Sequence, residues 1–162
     1  MGYYVTLESS NCYLTAEHKE EAYKRLCELN NHNDFKRGGS FGAVEPTASV
    51  GTEDRPAPPH NAPREDRWFS WCEWNYQEIC KDAEAILQMI GFETDASNGD
   101  IHIYSYDSKT GQEDLFLATI CDLLIGEMEW RGEDGNQWMF RYGGEKPQRF
   151  YAQTTWIEED QS

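Results

Sequence analysis

The chain has 162 residues, with 30 Asp and Glu against 14 Lys and Arg and a formal net charge of −16, well beyond the magnitude of about eight within which most small domains stay. This balance argues against direct nucleic-acid binding, which needs a basic stripe to displace counterions, because the few Lys and Arg are scattered. Aromatic residues make up 14% of the chain, enough large apolar surface to exclude disorder throughout, and no apolar run approaches the roughly 20 residues that cross a bilayer.

Met1 to Thr6 lack the basic start and apolar stretch of a signal peptide, so a cytoplasmic protein without membrane contact is expected. Cys12, Cys27, Cys72, Cys80 and Cys121 are odd in number and form no CxxC pair, and they read as buried, reduced thiols. A zinc site built on Cys72 and Cys80 is disfavoured, since their helical spacing separates the thiols by about two turns. No metal or cofactor is expected.

In chain order, Tyr3 to Leu7 alternate and are rich in strand formers. Thr15 then offers a helix N-cap, and Ala22, Leu26 and Leu29 recur at helical spacing until Asn30-Asn31. From residue 30 to 67 the composition turns to Gly, Pro, Ser, Asn and charge, which predicts a long insertion within a single domain spanning 1–162, either flexible or a partner-binding arm. Its Gly38-Gly39-Ser40-Phe41-Gly42 stretch lacks the preceding strand and following Lys-Ser or Lys-Thr pair of a phosphate-binding loop. A second helix, capped by Ser70 or Asn75, carries Ile79, Ala83, Ile86, Leu87 and Ile90 and ends at Gly91-Phe92.

A strand through Ile101, His102, Ile103 and Tyr104 leads, past a turn at Lys109-Thr110-Gly111, to a helix predicted over Glu113 to Leu124 and closed by Gly126. The rest reads as a three-stranded meander. Its strands carry Met128 and Trp130, then Trp138, Phe140 and Tyr142, then Phe150, Ala152, Thr154 and Trp156. A two-residue Asp-Gly turn would put the apolar residues of the first two strands on opposite faces. A three-residue loop, Glu133-Asp134-Gly135, pairs Trp130 with Trp138 and Met128 with Phe140 and buries one face. The fold class is therefore α+β, a mainly antiparallel sheet with helices packed on one face.

The segment Glu129-Trp130-Arg131-Gly132-Glu133-Asp134-Gly135-Asn136-Gln137-Trp138, with Gly111-Gln112-Glu113-Asp114-Leu115-Phe116 upstream, resembles a loose group of small, acidic, uncharacterised proteins from bacteriophages and bacteria. The likeness covers the C-terminal 95 residues or so, without the 30–67 insertion. It implies a phage or mobile-element origin and carries no activity with it.

The candidate contact residues are acidic or aromatic. Glu127 and Glu129 share an outer strand face, Glu133 and Asp134 occupy a turn, and Glu78 and Asp82 lie on the second helix. Trp68, beside the charged insertion, is the aromatic expected at the surface, whereas Trp71 and Trp74 are three apart and expected in the core. His18, His32, His60 and His102 are isolated, and no catalytic motif is present. The sequence thus points to a non-enzymatic acidic interaction protein that engages and inhibits a host protein with a basic surface. A binder of small, nucleotide-like ligands and an enzyme of unrecognised type are the alternatives.

Overall fold

The computed structural model describes residues 3–32, 35–36, 68–69 and 71–159, so most of the predicted 30–67 insertion lies outside the described residues. The strands are β1 (Tyr4–Ser10), β2 (Tyr13–Leu14), β3 (Glu93–Asp95), β4 (Ile101–Ser105), β5 (Asp107–Lys109), β6 (Leu124–Gly132), β7 (Gln137–Tyr142) and β8 (Gln148–Tyr151). The helices are α1 (Lys19–Leu29), α2 (Tyr76–Ile79), α3 (Ala83–Met89) and α4 (Glu113–Thr119). Every strand pairing is antiparallel, which makes this an α+β fold dominated by its sheet.

Strand β6 organises that sheet. Along one edge it pairs with β7, which pairs with β8. Along the other, its first residues pair with β2 and its second half with β1. Beyond β6 the sheet forks: β1 continues to β5, while β2 continues to β4 and β3. Gly126 marks the fork, at φ +114°, where an added Cβ would lie 2.6 Å from the Asn11 carbonyl oxygen. Asn11 fills the gap between β1 and β2, because its side-chain oxygen accepts the Glu127 N–H at 2.7 Å and its own N–H donates to the Glu127 carbonyl at 3.1 Å.

The helices bury the faces their periodicity assigns. Ala22, Leu26 and Leu29 of α1 are buried, and α1 packs against α2, α3 and α4. Asp82 caps α3 by accepting the Ala85 N–H at 2.8 Å, and the helix ends as Gly91-Phe92 predicts, with the Phe92 N–H donating back to the Leu87 carbonyl at 3.0 Å. The hairpin register also agrees with the three-residue loop. Trp130 faces Trp138, Met128 faces Phe140, and Gly135 has φ +88°.

Several expectations need correction. The single helix predicted through Ile90 is two, because Cys80 is extended (ψ 128°) and Asp82 starts a new helix. The helix predicted to Leu124 stops at Thr119, passes through a 3-10 turn at Cys121–Leu123, and gives way to β6. Leu124 and Ile125 pair with Leu14 and Tyr13, so Gly126 shapes a strand rather than closing a helix. Thr15 does not cap backbone donors; its hydroxyl meets His18 Nδ1 at 2.9 Å, and a 3-10 turn precedes α1. The last strand ends at Tyr151 with Arg149 opposite Phe140 and Tyr151 opposite Trp138, so Phe150 lies on the other face, opposite Met139. Trp156, predicted to face inward, is 94% exposed.

Trp68 and Trp71 exchange their predicted environments. Trp68 is buried, its N–H donates to Asn30 Oδ1 at 3.0 Å, and its ring meets Phe116 edge-on at 5.4 Å. A ring with a partner for its one polar atom gains more from the core than from solvent. Trp71 is 39% exposed, with its N–H on the Ile90 carbonyl at 3.2 Å.

Candidate functional site

Because side chains alternate across a strand, the hairpin register builds a transverse row on the helix-covered face of the sheet. Leu7, Trp130, Trp138 and Tyr151 stand opposite one another on β1, β6, β7 and β8. Burial falls along that row: Trp130 is enclosed, Trp138 is half-buried and Tyr151 is exposed. The helices do not reach its outer end. A pocket of about 510 Å³ opens there, closed by Tyr3 just before β1, by Val5 of β1, by the start of α4 and by the β6–β7 turn.

Trp130 forms part of the pocket lining and packs edge-on against Tyr106 (5.6 Å) and Phe92 (6.2 Å). Its indole N–H meets no hydrogen-bond acceptor among the described residues. Buried donors are normally paired, and an orphan costs about 1–3 kcal/mol. Arg149 spreads over Trp138 (5.7 Å), Phe140 (5.4 Å) and Tyr151 (4.8 Å), so its guanidinium lies on the aromatic wall.

The remaining wall is acidic. Glu113 is buried, and its carboxylate is satisfied by the Gly111 N–H at 2.7 Å and by the Thr110 hydroxyl. Asp114 is open to solvent on one side, yet protein crowds it elsewhere. That crowding, with the Glu113 charge added, pushes its carboxyl up to about 6 against the opposing pull of Arg149. Asp134 is the reverse case: hydrogen bonds from the Tyr3 hydroxyl and the Asn136 N–H hold it below the ordinary carboxylate range. Asn136 Nδ2 also donates to it at 2.9 Å. Glu133 is tethered beside it, accepting the Tyr4 N–H at 2.8 Å.

Of the residues singled out from the sequence, Asp134 lines this pocket and Glu133 adjoins it in the turn. Glu127 and Glu129 lie on the opposite face of β6, where Glu127 is paired with Arg141 at 2.7 Å and Glu8 with Arg131 at 3.2 Å. Glu129 lines a shallower hollow of about 340 Å³ there with Met139 and Phe150. Glu78 and Asp82 are exposed on the helical side, and among the described residues no hydrogen bond or ion pair joins them to the hairpin carboxylates. Trp68 is in the core. Sequence reasoning missed Asp114, Arg149 and Tyr151. Asp114 stands in the first turn of the predicted helix, where an acid is common for backbone reasons and signals no site, and Arg149 and Tyr151 are hidden by the one-residue error in the last strand.

Cys12, Cys27, Cys80 and Cys121 are free thiols. Burial raises the Cys12 thiol to about 12, so it stays protonated at neutral pH. Among the described residues no group of three or more His, Cys, Asp or Glu side chains is placed to hold a metal ion, and no helix is long and apolar enough to cross a membrane. His102 lies against the Tyr13 ring at 5.2 Å and beside Asn98. Comparison with family models, with curated proteins and with solved structures returns no match for this chain.

Proposed function

We propose that the chain is a non-enzymatic acidic interaction protein, a phage or mobile-element factor that acts in the bacterial cytosol by binding a basic surface of a host protein and inhibiting it. The observation that carries this reading is the state of the hairpin carboxylates. Glu133 and Asp134 are held in place by neutral donors, Tyr4 N–H, the Tyr3 hydroxyl and Asn136. Among the described residues no ion pair cancels their charge, whereas Glu8 and Glu127 on the outer face are each matched by an Arg. Preorganised, uncompensated charge is what accelerates encounter with an oppositely charged partner.

The test is capture of host proteins by the full chain, identified by mass spectrometry, followed by binding kinetics with the captured partner. A basic partner whose association slows about tenfold or more between low and about 0.5 M salt is the expected result. Reversing Glu133 and Asp134 should slow association further than reversing Glu127 and Glu129 or Glu78 and Asp82. Equal effects from the three pairs, or no salt dependence, would remove the electrostatic mechanism. The alternative of a small-ligand binder is favoured by a different observation, the pocket around Trp130.

A further inference from the structure

We infer that the free edge of β8, with the tail that follows it, is the interface of a symmetric dimer: two copies of this chain pair antiparallel, each laying residues 153–156 along the other's β8. Among the described residues the sheet has three edge strands, β3, β5 and β8. Natural sheets guard such edges with short strands, charge and register breaks, because unpaired main-chain groups there accept another strand. β3 has three residues, two of them acidic, and a register shift, and β5 has three residues with Asp107 and Lys109 at its ends. β8 has no such guard. Its single charged side chain, Arg149, is drawn back over Trp138, Phe140 and Tyr151 on the inner face.

The sequence also specifies a longer strand than one chain can pair. Phe150, Ala152, Thr154 and Trp156 alternate, and Tyr151, Thr155 and Ile157 add further strand-forming side chains. β7 begins at Gln137, so Ala152, whose N–H donates to the Gln137 carbonyl at 3.1 Å, is the last residue it reaches. From residue 148 to 159 every residue is exposed, Trp156 at 94% and Ile157 at 85%. What this segment lacks is a partner strand.

Strand alternation makes a second copy fit. Because Ala152 turns its N–H toward β7, Arg149, Tyr151, Gln153 and Thr155 turn their main-chain groups toward the free edge. A two-fold axis at Ala152 sets Tyr151 against Gln153 and Arg149 against Thr155 of the second copy, so the outward-facing groups meet one another. In that register Phe150 stands opposite Thr154 and Gln148 opposite Trp156, on the outer face where Arg141 lies over Phe150 at 4.9 Å. Lys146 comes opposite Glu158, and the ladder closes at Pro147, which has no N–H to give. The β7–β8 hairpin carries Arg141, Lys146 and Arg149 against Glu145, so it is a place where two chains of net charge −16 can approach. Covering both copies of Phe150, Trp156 and Ile157 and the main chain between them buries roughly 1,000 Å², the lower bound of a specific interface. An isologous contact of this kind closes at two copies and uses up the edge. The inference does not rest on the host-protein reading.

Sedimentation equilibrium of the full chain should show monomer and dimer exchanging with a dissociation constant of about 10–100 μM. Gln153→Pro removes an N–H that faces the edge and should weaken the dimer about tenfold or more, as should Trp156→Ala. Thr154→Pro removes an N–H that faces away and should stay within about threefold. These positions are exposed and lie beyond β8, so circular dichroism should remain that of the parent. In a mixture of ¹³C-labelled and unlabelled chains, nuclear Overhauser contacts should join Phe150 of one copy to Thr154 of the other. Salt raised from about 0.01 to 0.5 M should tighten the dimer by screening the repulsion between two acidic chains, opposite to its effect on a basic partner.

A chain that stays monomeric at about 1 mM in 0.5 M salt overturns the inference. So does a dimer that Gln153→Pro and Trp156→Ala leave intact, which forms through another face, and equal weakening by the two proline variants contradicts the register. If Gln153→Pro abolishes capture of a host protein while the parent chain is monomeric, the edge takes a foreign strand and self-pairing is wrong.

Discussion

At Gly126 a single hydrogen atom in place of a side chain decides whether the sheet can fork. The backbone is at φ +114° and an added Cβ would sit 2.6 Å from the Asn11 carbonyl oxygen, so Gly126→Ala combines left-handed strain with a clash against main chain that cannot move aside. A loss of about 2–4 kcal/mol is expected in chemical denaturation. Gly135, at φ +88° with open space around it, carries the strain alone, and Gly135→Ala should cost about 1–2 kcal/mol, less as Asn and more as Val. Near-equal losses at the two glycines would mean that the Asn11 contact contributes nothing. From sequence, Gly135 is legible because a three-residue loop demands it. Gly126 follows Leu123, Leu124 and Ile125 at a spacing that extends the helical pattern, and only the pairing of Leu124 with Leu14 reveals a strand.

Asp114 makes a second residue-scale prediction. Its carboxyl is raised from 3.8 to about 6, so the folded state keeps a proton that the unfolded chain has lost. Stability attributable to this group is therefore greatest below about pH 4, falls as pH rises through 6, and stays reduced at neutrality. Asp114→Asn should raise the melting temperature at pH 7 by about 2–4 °C, after discounting the shift to about 1 kcal/mol for the solvent that reaches the group. The gain should vanish near pH 3.5. A gain independent of pH would assign the stabilisation to something other than ionisation.

Among the elements, the β6–β7 hairpin was the most readable, because only one loop length puts Met128, Trp130, Trp138 and Phe140 on a common face. That face is unevenly covered. Trp130 is 2% exposed whereas Trp138 is half-buried, so Trp130→Ala should cost about 3–5 kcal/mol and Trp138→Ala clearly less. Urea denaturation of the two variants measures the difference, and equal losses would contradict the observed burial. The break between α2 and α3 was readable in retrospect, since Asp82 has the side chain of an N-cap three residues before Ala85. The periodic run from Ile79 to Ile90 obscured it. The two-residue β2 and three-residue β3 and β5 are too short for any period to show.

For the molecule as a whole, a net charge of −16 on 162 residues means that folding gathers repelling carboxylates into a small volume. Added salt screens that repulsion more in the compact state than in the expanded one. The melting temperature at pH 7 should rise by several degrees between about 0.01 and 0.5 M sodium chloride, and a fall would show that ion pairs such as Arg25–Asp122 outweigh the repulsion. Charge and fold class were legible because they are sums and patterns along the chain. The pocket was not, since it joins Tyr3, Asp114, Asp134 and Tyr151, which no local pattern brings together.

The hub position of β6 also dictates an order of events during synthesis. The N-terminal strand β1 finds its partner in the second half of β6, and the Tyr4–Glu133 hydrogen bond that locks the two ends spans 129 residues. The segment made earlier, Tyr106 and β5, pairs with one edge of β1 only, and the other edge waits for β6. While the ribosome is still producing the middle of the chain, Val5 and Leu7 of β1 lack the neighbour that will cover them, and helix α1 lacks the helices it packs against. The protein must therefore assemble late and nearly all at once, which predicts slow folding for its size and a nascent chain that depends on chaperones until residue 132 has emerged.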